Sequence, residues 1–496
     1  MPNVPVPNEP VPTASPPDEH PPARWSLPDR PDLERLRKQA KKLRRRAAAG
    51  DAEALELVTT YDPGPEPVTL SRAQRVLARA YGFAGWSKLR EHLAVLEVWG
   101  RDMVSSRAGD DPVDAFLRLA CLSYTDPYVS DRAVELLRAE PSLATATAAT
   151  MAACGEAVAL RELLDRDPAA VAAVSGPHDW PPLLYLCYAR LDVGDPVATL
   201  RVLLEAGADP DAGFLWQRFP SPFTAVTGVL GGGERDEPAH PQAVALVTML
   251  LDAGADPNDN QAFYNRQFRP DDAHLPPLLD HGAGHPRRSV WRERLGTTYP
   301  SAAEMVGEHL RTAAQHGFTE RVRLLLTYGI DPNTRGYHPI LGDQTAYELA
   351  VRNGHREAAA LLAAGGGHSD RIGEPDLLLS AALAGDAEGV SRRREHAAAL
   401  VAGRPDGLRL AGELHGVEAV ELLLDLGYGI DAAGPDGRTA LHEAALRGDA
   451  ELCDWLLARG ADPGVRDRDF GGTPSGWADH AGHTVLAARL AREGTG

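Results

Sequence analysis

Lysine is nearly missing from this chain, with four residues against 47 arginines in a length of 496. Isoleucine is as scarce, at four residues, while alanine and leucine abound. That bias favours helices and disfavours sheets built from β-branched side chains. Four cysteines in so long a chain exclude a disulfide scaffold. No apolar run approaches the length of a membrane span, and the N-terminus lacks the apolar core of a signal peptide. A reducing cytoplasm is therefore the expected location, and the arginine, alanine, glycine and proline bias fits a GC-rich bacterial genome. No lysine follows a glycine-rich loop, which excludes a P-loop, and the glycine triplets at 231 and 365 read as hinges or helix ends.

The net charge is −19, unevenly spread. Residues 30–46 hold nine basic and two acidic side chains, a local +7 that leaves −26 for the rest. A body that acidic repels nucleic acid and anionic membranes and favours basic partners.

Residues 1–28 contain ten prolines and almost no apolar clusters, so they are expected to be a disordered leader. Asp29-Arg30-Pro31-Asp32 then starts a helix in which Leu33, Leu36, Ala40, Leu43 and Ala47 form one apolar stripe on a basic surface. Ala52 to Tyr61, Leu70 to Ala80 and Trp86 to Trp99 read as three further helices, so 29–100 is expected to be a small helical module.

The remainder is periodic. Cys121, Cys154 and Cys187 stand 33 residues apart, and Gly354, Gly385, Gly416, Gly448 and Gly482 follow at steps of 31, 31, 32 and 34. A helix end of the form Leu-Leu-x-x-Gly-Ala/Ile-Asp closes at Gly207, Gly254, Gly329, Gly429 and Gly460, with a weaker copy at Gly282. Glycine there supplies a left-handed residue, and the following Asp-Pro stops the helix. The 47-residue steps from Gly207 to Gly254 and from Gly282 to Gly329 require loops, expected near Gly231–Gly233 and 284–300.

Thr439-Ala440-Leu441-His442-Glu443-Ala444-Ala445, with fainter versions at Thr345 and Thr473-Pro474, resembles the ankyrin repeat consensus. The resemblance covers 113–496, about ten or eleven repeats, several of them degenerate, with the boundaries in 375–415 placed mainly by spacing. It implies an all-α solenoid of helix pairs with hairpin-like loops, preceded by the helical module. It also implies that Thr439 caps its helix, that His442 ties neighbouring turns together, and that partners are gripped on hairpin tips and first-helix faces. Catalysis is not part of that repertoire. Ala78-Arg79-x-Tyr81-Gly82-Phe83-x-x-Trp86 resembles a short module found ahead of bacterial ankyrin arrays, which adds architecture and no chemistry.

Metal chemistry finds little support. Cysteines one repeat apart lie about 8–10 Å from one another, too far for a disulfide or for converging ligands. His442-Glu443 lacks a second histidine four residues on, and glycines break any helical face joining His281 and His285. No cofactor, metal or catalytic residue is therefore assigned.

Two features remain as binding candidates. The loop 285–299 places Arg287, Arg288, Trp291, Arg292, Arg294 and Tyr299 together, residue types that dominate binding hot spots. Either it protrudes as a finger, or its aromatics fold back on the array and its arginines pair with acids. The basic helix 30–46 would suit phosphate contact, but a solvated or docked face is the plainer reading. The expected function is protein–protein binding as a scaffold, adaptor or inhibitor, by a monomer. The alternative is a nucleic-acid-associated regulator working through 30–46.

Overall fold

The computed structural model describes residues 24–28, 30–65, 67–103, 111–125, 128, 131–336 and 341–494. Helix makes up 59% of the structure and strand 4%, so the architecture is all-α. The leader expected at 1–28 lies outside the described residues up to position 23; Arg24–Pro28 are described, and the amides of Arg24 and Trp25 both donate to Ala80 O.

The chain forms two compact units. The first comprises Met1–Val104 with two distant excursions, Gly213–Phe223 and Val290–Tyr299. Its four helices are Leu33–Ala48, Ala52–Tyr61, Leu70–Ala80 and Trp86–Trp99. Asp32, Asp51 and Thr69 cap the first three by accepting the amides of Arg35, Ala54 and Arg72. Leu43 and Ala47 of the opening stripe bury against Leu57, Val58 and Val76. A short strand, Gly100–Arg101, pairs in parallel with Gly213–Trp216, matching Gly100 to Leu215 and Arg101 to Trp216.

The second unit comprises Ser105–Ala212, Thr224–Ser289 and Pro300–Gly496. Among its described residues eleven helix pairs follow one another, from Pro112–Ala120 with Asp131–Ala139 to Pro474–His480 with Thr484–Glu493. First helices stack on first helices, so that Ala440–Arg447 packs against both Gly407–Leu414 and Pro474–His480. A single pair would leave its apolar face in water; stacking buries Leu410, Leu441, Ala444, Leu452 and Leu456 in one continuous core.

The glycine signatures act as the sequence implies except at Gly429, where the left-handed glycine that ends the helix is Gly427, at φ 105° with its amide donating to Leu424 O. After the helix ending at Ala458, Gly460 adopts φ 89°, its amide donates to Leu457 O, and that of Ala461 reaches back to Leu456 O. The aspartate that follows has a further role: the amide of Asp462 donates to Asp431 Oδ1 of the preceding repeat at 3.0 Å. Asp256 N and Asp211 Oδ1 repeat the arrangement at 2.7 Å.

The extra residues of the two long steps are placed differently from the sequence expectation. Only part of the first insertion lies at Gly231–Gly233, where Gly232 bridges Glu237; the rest is Gly213–Phe223, a segment of the first unit. The second insertion also joins the first unit, through Val290–Tyr299. Around 375–415, the short helix Ala387–Arg393 runs through a 3-10 turn into an additional helix, Ala397–Gly403.

Three irregular connections of the second unit are held by buried arginines. Arg190 donates to the carbonyls of Cys187, Ala189, Gly228 and Pro238. Arg321, fully buried, donates to Asp272 and to the carbonyls of Gln267, Arg269 and Asp271. Arg311 does the same for Gly342 and Gln344, paired with Glu308. A planar guanidinium with five donors suits carbonyls that no helix or sheet satisfies; an ammonium does not span them.

Candidate interaction surfaces

The arginine-rich loop does not present its aromatics. Trp291 and Tyr299 are each 2% exposed. Within the first unit, Trp291 meets Trp99 edge-on, with centroids 5.4 Å apart, and Arg294 lies 3.9 Å over the Trp99 ring and 4.7 Å from that of Trp291. Arg292 donates to Tyr299 O at 2.7 Å. Within the first unit Trp291 and Tyr299 are thus buried and Arg294 half-buried, while Arg287, Arg288 and Arg292 are exposed. Arg287 approaches Asp256 at 3.9 Å.

The consensus residues Thr439 and His442 are fully buried. The Thr439 amide and hydroxyl both face His442 Nδ1, at 3.2 and 2.9 Å, and the opposite ring nitrogen reaches Gly472 O of the next repeat at 3.3 Å. Burial lowers the imidazole pKa, so the ring stays neutral and donates from Nε2. His442 therefore couples two repeats, and the Thr439 hydroxyl bonds to this ring.

The next hairpin carries an aromatic group that the sequence reading passed over. Asp467 shapes its tip, accepting the amide of Phe470 at 2.7 Å, the Trp477 indole at 2.9 Å and the amide of Gly472 at 2.7 Å. These bonds hold its carboxyl at about 2. The tip so formed pushes Phe470 into solvent, 80% exposed and edge-on to Trp477 at 5.7 Å. Arg438 from the preceding repeat lies 5.3 Å over the same indole while paired with Asp436 at 2.7 Å. Backbone ties fix the neighbouring tips, since Arg468 N donates to Asp436 O at 2.7 Å. The signal was present in Asp467-Arg468-Asp469-Phe470-Gly471-Gly472, where one aromatic interrupts a wholly polar turn.

The remaining candidates carry little chemistry. Cys121, Cys154, Cys187 and Cys453 are free and buried, and burial raises every thiol pKa, that of Cys154 to about 12. His274 is buried edge-on to His309 at 5.6 Å, with burial driving both well below the ordinary range, whereas His281 bonds to Asp252 at 3.0 Å. Among the described residues, no group of three or more His, Cys, Asp or Glu is placed to hold a metal. No helix among them is long and apolar enough to cross a membrane.

Comparison with known proteins agrees with the repeat geometry. Residues 436–468, the stretch that holds Thr439, His442 and Asp467, match the Ankyrin repeat family. A relative, Protein PhlB of Serratia liquefaciens, is 48% identical over 65 residues, which is 13% of this chain. The match spans 29% of the length of that protein. With its stacked helix pairs, its glycine-ended second helices and the matched repeat at 436–468, this chain is an ankyrin repeat protein.

Proposed function

We propose that the protein is a non-catalytic binding module, acting as a scaffold, adaptor or inhibitor, that holds a protein partner on the hairpin tips and first-helix faces of its repeats. The observation that carries this reading is Phe470. A large apolar side chain displayed at 80% exposure loses nothing by being covered, and Asp467 already fixes its loop. Aromatic and arginine side chains in a preordered frame supply contact area at small entropic cost. Trp477 and Arg438 complete the patch, and the exposed Arg287 and Arg288 offer a second, polar contact. Monomeric, bacterial and cytoplasmic settings belong to the same reading, supported by the composition and by four buried, reduced thiols.

The test is affinity capture from native cytoplasm with the full chain and with Phe470→Ala. A protein held by the first and weakened about tenfold or more on the second places the contact at the tip. Equal retention by both, with loss on Arg287→Glu/Arg288→Glu, moves it to the polar segment. Capture that ignores both variants removes the reading.

A further inference from the structure

The first unit holds a feature that the array does not use. Its opening helix is amphipathic in an unusual way: the apolar stripe is buried, and the opposite face is a run of bare cations. Arg35, Lys38, Lys41, Lys42, Arg44 and Arg45 are all exposed, and no carboxylate of the described residues lies within ion-pair range of any of them. Two basic neighbours are different. Arg37 has Glu34 at 3.9 Å, and Arg46 is held by Asp51 at 2.8 Å and Glu53 at 2.6 Å.

Bare cations are costly on a helix. Lys38 and Lys42, and Lys41 and Arg45, stand four apart and repel each other along one face. The chain has 70 acidic side chains, and elsewhere they partner its arginines closely, as with Arg311–Glu308, Arg409–Glu443 and Arg438–Asp436. Among the described residues none of these acids neutralises this face, which leaves it open to charge from outside.

Beside the face lies a cleft of about 590 Å³, within the size range of ligand sites. Its floor is aliphatic, formed by Leu43, Leu57 and Leu77, themselves nearly buried. One wall is Trp25, 37% exposed and tilted against Tyr81 at 5.5 Å, and Lys42 stands at the rim. The cleft and the cationic stripe meet at Lys42, so one ligand can engage both.

We propose that this cleft and the adjoining helix face bind an acidic protein segment that carries an apolar anchor. The anchor fills the space between Leu57, Leu77 and Trp25, and carboxylates on either side meet Lys38, Lys42 and Arg45. Nucleic acid suits the cleft less well, because its aliphatic floor gives a phosphodiester backbone nothing to bind and is filled by an apolar side chain. The proposal rests on the protein-binding reading but uses a different surface, so the two can fail separately.

A random-peptide library selected on the full chain tests it. The enriched peptides are expected to combine Asp or Glu with one leucine, phenylalanine or similar anchor. A synthetic copy should weaken about tenfold or more on Lys38→Glu/Lys42→Glu, whose side chains are exposed, and again on Trp25→Ala or when its anchor becomes serine. Phe470→Ala should leave its affinity unchanged. Peptides without acids or without an anchor overturn the proposal, as does indifference to the lysine reversals. Winners that depend on Phe470 alone support the array as the binding surface and overturn this one. A short DNA duplex that displaces the peptide, and itself binds more tightly in a lysine-dependent way, assigns the face to nucleic acid instead.

Discussion

Two repeats of the array fill the same structural slot with opposite chemistry. In the C-terminal part, His442 sits three residues after Thr439, takes that residue's hydroxyl on one nitrogen and reaches Gly472 O in the next repeat with the other. In the central part, Thr227 stands three residues after Thr224, and both hydroxyls turn to the buried carboxylate of Asp259, which caps the next first helix through Ala262 N. One coupling is neutral and the other is a carboxylate with no cation bonded to it. Their surroundings differ in step. The C-terminal loops are short and regular, while the central ones are long and pinned by Arg190, Arg311 and Arg321. A regular repeat supplies its own coupling through the consensus, and an interrupted one is tied by buried arginines as well.

The sharpest way to break the comparison is to remove one of those charges. Arg321→Ala removes a fully buried guanidinium and leaves the half-buried Asp272 and three loop carbonyls without their donor, and should cost about 3–5 kcal/mol. Arg438→Ala in the regular region removes a partly exposed pair with Asp436 and one of the two arginines on the buried Glu443, which Arg409 still holds, and should cost about 1 kcal/mol. Denaturant midpoints of the two variants against the parent chain measure the gap. Equal losses would mean that the central arginines are incidental.

Asp259 gives the next largest effect, and one with a pH signature. Burial raises its carboxyl from 3.8 to about 6, against the pull of Thr224, Ala262 and Thr227. The folded chain therefore holds this proton more tightly than the unfolded chain between about pH 4 and 6. Stability from this group is greatest below that window and falls as pH rises through it, by on the order of 3 kcal/mol once Asp259 is ionised. Asp259→Asn keeps the shape without the charge, so it should be more stable than the parent at pH 7 and should lose this slope. Urea titrations at pH 5 and pH 7 on both proteins decide the point; parallel pH profiles would place the penalty elsewhere.

How much of this was readable beforehand follows the same division. Where a residue acts within its own repeat or on the next, as Gly460, Leu456 and His442 do, spacing and consensus locate it. The helices of the first unit were equally legible, because Asp32, Asp51 and the apolar stripe are local signals. The joining of 213–223 and 290–299 to that unit was not. It rests on contacts such as Trp99 with Trp291, nearly two hundred positions apart, which leave no period in the sequence. The residues Trp291, Arg294 and Tyr299 show the consequence. Their composition was that of a binding site, yet the same aromatic and guanidinium chemistry also builds a buried joint. Phe470 is the reverse case, a lone aromatic in a polar turn whose meaning depends on the loop that Asp467 shapes.

His442 offers a smaller test inside the regular region. His442→Ala opens the bond to Gly472 O and leaves the Thr439 hydroxyl alone in a buried site, at a cost of about 1–3 kcal/mol. The loss should be localised. Hydrogen exchange is expected to rise in the two repeats flanking the substitution and to stay unchanged among the central repeats, since each repeat leans only on its neighbours. Exchange that rises evenly along the whole array would show that the repeats unfold as one body and that His442 is not a local tie.

Phe470→Ala should have the smallest effect on stability and the largest on binding. At 80% exposure the ring buries little apolar surface on folding, so its removal should change the unfolding free energy by no more than about 0.5 kcal/mol. Trp477→Ala, edge-on to Phe470 in the same patch, is a useful contrast. Its indole donates to Asp467, so its loss should loosen the tip and cost about 1 kcal/mol or more. If the two variants lose a captured partner to the same extent while differing in stability, the ring of Phe470 is a contact in its own right. If only Trp477→Ala loses the partner, the shape of the tip is what matters and Phe470 is merely carried on it.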